Sequence, residues 1–199
     1  KQKTAYEMSF RRGFENSAAA VSCGLGLSYK PNNRLLLSVY PQYVQSTDHQ
    51  QYVRTVEGNH PAYILSSIHQ HIASMSIRIN FGITPDMSLQ WYVLPYLFSG
   101  DYYGFKTVTH PQADKFAERY TPIDDYSYDN PDFHFLQLRS NLVYRWEYKP
   151  GSVLYLVWSQ GKTLQEEDGT FRFGGYVHEL VQAKAQNDFL VKVSYAFIF

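Results

Sequence analysis

The 199-residue, 23.2 kDa chain is 44% hydrophobic and 17% aromatic, and its 18 basic side chains balance 18 acidic ones. No basic run is longer than Arg11 and Arg12, which argues against nucleic acid as a partner. Cys23 is the only cysteine, so an internal disulfide and a cysteine-cluster metal site are excluded, and the lack of a run of about 18 apolar residues excludes a membrane helix.

The start KQKTAYEMSF has neither the apolar core nor the small-residue cleavage site of a signal peptide, so a secreted form would be mature, truncated or a segment of a longer chain. Next, Leu25, Leu27 and Tyr29 alternate with Gly24, Gly26 and Ser28, and Pro31, Asn32 and Asn33 reverse the chain into LLLSVYPQYV, which predicts a hairpin. The two glycines relieve packing beside bulky neighbours. Between Val44 and Ala73 the pattern weakens, because QQYVRTV and AYILSSI are each short for a full strand of a barrel. His69 and His71 share a strand face and offer two metal ligands, with no third in sight.

The stretches MSIRINFGI and MSLQWYVLPYLF form the next pair, turning at Thr84, Pro85 and Asp86. Ile77, Ile79, Phe81 and Ile83 face one way, and Leu89, Trp91, Val93, Pro95 and Leu97 form a matching stripe. Residues 99–132 then make a long polar connection, where Pro111, Pro122 and the many Asp and Tyr residues favour an external loop at the barrel mouth over a helical turn near 113–119. Its acidic group Asp124, Asp125, Asp129 and Asp132 lacks the spacing of a calcium loop. In FHFLQLRSNLVYRWEYK, Leu136, Leu138, Leu142, Tyr144, Trp146 and Tyr148 oppose Gln137, Arg139, Asn141, Arg145 and Glu147. A second long connection spans 161–187, and the chain ends on FLVKVSYAFIF, where Phe189, Val191, Val193, Tyr195, Phe197 and Phe199 alternate on one face.

Such alternation suits either a sheet with one wet face or a membrane barrel. Turn inequality favours the barrel: the reversals at 31–33, 84–86 and 149–151 are very short, and the connections near 99–132 and 161–187 are long. The expected fold is all-β, an antiparallel transmembrane β-barrel or the C-terminal part of a larger one, forming a single region over 1–199 with eight to ten strands. Arg139, Arg145, Glu147 and Lys192 are expected as a lumen charge cluster, and Trp91, Tyr148, Tyr155 and Trp158 as an interfacial aromatic girdle.

The motifs TPDMSLQ, GDYYGF, NLVYRWEYKPGS and LVWSQ, followed by NDFLVKVSYAFIF, resemble the C-terminal part of the DUF5916 proteins of Bacteroidota-type bacteria, over a tract from about residue 51 to residue 199. The resemblance implies an outer-membrane barrel that follows an amino-terminal carbohydrate-binding-like sandwich absent from this chain. It attaches no activity or cofactor to this region. On that reading Tyr195, Phe197 and Phe199 form an assembly signal for the barrel-assembly machinery. The partners are outer-membrane lipid and that machinery, with other envelope proteins or further strands of the same polypeptide as additional candidates.

The expected function is a pore, a conduit for saccharide-like nutrients, or an anchor in the bacterial outer membrane. Two alternatives stand beside it: a protein-interaction component of a larger envelope complex, and a soluble β-sandwich binding module. No nucleophile elbow, glycine-rich phosphate loop or convergent acid pair is present, so a non-enzymatic role without metal or cofactor is expected.

Overall fold

A computed structural model describes residues 3–15, 18–58 and 61–197. Their strands are β1 (Lys3–Glu15), β2 (Ala18–Lys30), β3 (Leu35–Val56), β4 (Ala62–Thr84), β5 (Met87–Val108), β6 (Tyr120–Pro122), β7 (Phe133–Lys149), β8 (Ser152–Glu166) and β9 (Ala185–Ser194). One helix, α1 (Phe173–Gln182), lies between β8 and β9, and a single 3-10 turn occupies Phe116–Arg119. All nine strands join one antiparallel sheet in the order β1-β2-β3-β4-β5-β7-β8-β9, with β6 paired to the end of β5.

Local chemistry explains the reversals. Asn32 accepts the backbone N–H groups of Arg34 and Leu35 through Oδ1 at 2.8 and 3.0 Å, an Asx turn that launches β3. Pro150 and Gly151 turn β7 into β8, and Gly151 takes a φ of +76°, which a side chain would resist. The weak pattern between Val44 and Ala73 also has a cause. Strands β3 and β4 run unbroken for 22 and 23 residues, but their register shifts between Asp48 and Gln51 and again between Tyr52 and Arg54. Each shift disturbs the inward-outward alternation, so one long strand reads as fragments.

Pairing places like with like on each face. One row crosses the sheet as Cys23, Tyr43, Ala73, Leu97, Leu136 and Leu164. Helix α1 sits on it, burying Tyr176 and Leu180 against Ala73, Leu97 and Leu136, with Phe171, Tyr43, Leu138 and Leu164 packed around them. The helix comes from the pattern FGGYVHELVQ, in which Phe173, Tyr176, Val177, Leu180 and Val181 recur at helical spacing. The opposite face carries rows such as Ser28, Ser38, Arg78, Tyr92, Asn141, Ser159 and Asp188, every member polar.

The sheet is open, which corrects the expected transmembrane barrel. Among the described residues β1 pairs only with β2 and β9 only with β8, so the path has two ends and encloses no lumen. An unpaired edge leaves backbone N–H and C=O groups that hydrocarbon cannot satisfy. The pore, conduit and anchor readings lapse with closure, as do the outer-membrane location, the lipid partner and the barrel-assembly machinery. Among the described residues no helix is long and apolar enough to cross a membrane. Turn inequality misled because the long connections are not bare external loops: 99–108 extends β5, Tyr120–Pro122 adds β6 to the sheet, and Phe173–Gln182 folds back as α1.

The segment leading into α1 is seated by Gly169, where an added Cβ would overlap the Gly100 carbonyl oxygen and the Asp101 Cα of β5. Those are backbone atoms that cannot swing aside. Gly169→Ala should therefore destabilise the chain by roughly 1–3 kcal/mol through overpacking. Gly174→Ala, whose Cβ meets nothing within 4 Å, should be neutral or stabilising by up to about 1 kcal/mol, because alanine favours the helix. Urea unfolding of both variants checks the contrast.

Candidate binding surfaces

The face that carries α1 is only partly covered. Beyond the helix, two further rows cross it with almost no polar interruption. One is Tyr29, Leu37, Ile79, Trp91, Leu142, Trp158 and Phe189; the next is Leu35, Phe81, Leu89, Tyr144, Leu156 and Val191. Exposure rises toward β9, from 40% at Trp91 to 77% at Phe189 and 64% at Val191. Large exposed apolar patches of this kind mark interaction sites. β9 adds an open backbone edge to that apolar margin, and β1 supplies a second edge with Met8 and Phe10 exposed.

The residues expected as an aromatic girdle divide between the faces. Trp91 and Trp158 fall on one apolar row: the indole N–H of Trp91 donates to Ser140 Oγ at 2.9 Å, and that of Trp158 donates to Asn187 Oδ1 at 3.0 Å. Trp158 also lies parallel to Phe189, with ring centroids 6.2 Å apart. Tyr148 lies beside Trp146 and donates its hydroxyl to the Ser194 carbonyl at 3.1 Å, tying β7 to the end of β9. Tyr155 is in register with Arg145 and Lys192, on the polar face. Tyr195 and Phe197 follow β9, their rings meeting edge to face at 4.9 Å, and Phe199 lies outside the described residues.

The expected charge cluster shares the polar face. Arg145, Tyr155 and Lys192 form one row across β7, β8 and β9, and Arg139 stands in register with Gly161. A Cβ at Gly161 would approach the Arg139 guanidinium to 3.2 Å, so the glycine leaves room for that side chain. Arg145 donates to Glu147 Oε2 at 2.6 Å, and Glu147 Oε1 accepts the Gly151 N–H at 3.1 Å. The Arg145–Glu147 pair thus braces the Pro150–Gly151 turn.

The histidines are held by neighbours. His71 Nδ1 lies 2.7 Å from the Tyr43 hydroxyl and His69 Nδ1 2.9 Å from Thr47 Oγ1. Burial, with His69 nearby, lowers the His71 pKa from its usual value. Asp101 is in register with His69, but no group of three or more metal-ligating side chains that could hold an ion exists among the described residues.

A buried cluster that the sequence reading missed joins β7 to the helix. His134 lies 2.9 Å through Nδ1 from the Asp168 carbonyl, which can only accept, so Nδ1 carries a proton. Its Nε2 faces Glu179 Oε2 at 3.2 Å, and its ring packs against Tyr176. Ser99 is in register with His134 and fully buried, and neither its hydroxyl nor His134 Nε2 has a hydrogen-bond partner among the described residues. The helical periodicity of 173–182 was the one sequence signal pointing to this cluster.

The profile described as Domain of unknown function (DUF5916) matches residues 1–198, and the chain belongs to that family. The match extends upstream of the tract whose motifs carry the resemblance, while the closed barrel implied by that resemblance is absent from the sheet. No curated protein and no solved structure matches the chain.

The Glu147 carboxyl is held below its ordinary value, first by the hydrogen bond from Arg145 and then by the Gly151 N–H. A depressed carboxyl stabilises above its unfolded value and loses that effect as pH falls through the lower folded one. The Gly151 amide should therefore stay protected from hydrogen exchange above pH 4.5, the ordinary value, and lose protection in acid. Glu147→Ala, which removes the acceptor, should expose that amide at all pH values, and an unchanged exchange rate would remove the turn-bracing role.

Proposed function

We propose that the chain is a non-catalytic protein-interaction module whose partner adds an extended segment to the β9 edge. The observation that carries this reading is the continuity of the two apolar rows into Phe189 and Val191 at an unpaired edge. A strand laid alongside β9 would gain main-chain hydrogen bonds, and its alternate apolar side chains would extend both rows. Natural edge strands are usually blunted by charge, proline or a covering element. On β9 the charged residues Asp188 and Lys192 both lie on the other parity, leaving the apolar stripe of Phe189, Val191 and Val193 unguarded. The alternative of a β-sandwich has less support, because all the described strands belong to one sheet and no second sheet covers the rows.

A photo-crosslinking residue at position 191, irradiated in the native cell, tests the reading. The expected adduct is a segment with apolar residues at alternate positions, captured from one protein and lost when Leu190→Pro disrupts the edge. Scattered adducts, or adducts indifferent to the proline, would sink it; adducts solely between copies of this chain would replace the partner with self-pairing.

A further inference from the structure

Beside α1 lies a cavity of about 850 Å³ that the strand-addition reading does not use. Its size is within the range of small-molecule sites, roughly 300–1,000 Å³. The floor is a row of the sheet between the core row and the exposed rows: Leu25, Pro41, Met75, Pro95 and Leu138. Two of these are prolines inside central strands, where a missing N–H normally counts against the residue. The ladder responds, since no paired residues bridge β2 to β3 between Gly24–Gln42 and Leu27–Val39, or β4 to β5 between Ser74–Tyr96 and Ile77–Val93. The sheet gives up pairing there and presents a smooth apolar floor.

The wall is equally specific. Helix α1 turns Tyr176 and Leu180 down into the core, but it carries a second stripe at Phe173, Val177 and Val181 that remains exposed and lines the cavity. A helix that only had to cover the core would place polar residues there. At one end, the Lys162 ammonium donates to the Val181 carbonyl and meets no carboxylate within ion-pair distance among the described residues. One of its three N–H groups caps the helix, and the rest of the lining is mostly apolar, so the cavity offers its contacts chiefly to a hydrocarbon chain.

The geometry points to a binding site for a single long aliphatic chain, seated between α1 and the Pro41–Pro95 floor with its polar end at the open mouth. Recognition depends on chain length. Cys23, the only cysteine, is exposed and lines the same cavity, which provides a direct reporter.

The test follows the rate at which Ellman's reagent modifies Cys23 in the full chain, with octanoate, decanoate and dodecanoate added below their critical micelle concentrations. Protection should saturate, and the half-protecting concentration should fall about fourfold per methylene, since each buried CH₂ contributes about 0.8 kcal/mol. Dodecanol, which shares the hydrocarbon chain, should also give saturable protection. Val177→Trp, at a solvent-exposed helix position, should fill the cavity and weaken dodecanoate protection at least tenfold while α1 circular dichroism is retained. Val177→Ala, also folded, should keep the binding. Absence of protection, protection independent of chain length, or undiminished protection in folded Val177→Trp would each overturn the assignment.

Discussion

The long central ladder of β3, β4 and β5 is the constraint on which the rest depends. Strands of 22, 23 and 22 residues pair antiparallel over most of their length, and that register brings apolar side chains into rows across one face and polar ones across the other. Every other feature is attached to this frame. β1 and β2 extend it on one side, β7 to β9 on the other, and α1 finds its seat because the ladder sets Ala73, Leu97 and Leu136 side by side.

Helix α1 divides the apolar face into regions with different fates. Beneath Tyr176 and Leu180 the face is core; beside them it opens into an apolar hollow over Pro41 and Pro95; beyond that it is bare as far as β9. The division is held by polar contacts as well as packing. His134, placed on the apolar parity of β7, meets the Asp168 carbonyl through Nδ1 and packs its ring against Tyr176, so a buried imidazole ties the connection and the helix to the sheet. Gly169 permits the approach by offering no side chain to the Gly100 backbone.

Much of the strand content was legible because alternation has a simple cause: successive side chains point to opposite faces. The turns at 31–33, 84–86 and 149–151 were legible from proline, glycine and asparagine, and the parity of Leu136 against Arg139 marked the two faces correctly. The pairing of β3 with β4 was not, because two register shifts disturb the pattern at Asp48 to Arg54. Nor was the His134–Glu179 contact, made between residues 45 positions apart whose meeting requires the helix to fold back.

From the amino-acid order alone came the all-β character, the absence of a disulfide and of a membrane helix, and the separation of apolar from polar parity along each strand. Whether the apolar stripes close on themselves or end at open edges was decided only by tertiary structure. The physical reason is that alternation reports the two faces of a strand and carries no information about its neighbours. The backbone pairs of β1 and β9 decide closure, and among the described residues each has a partner on one side only.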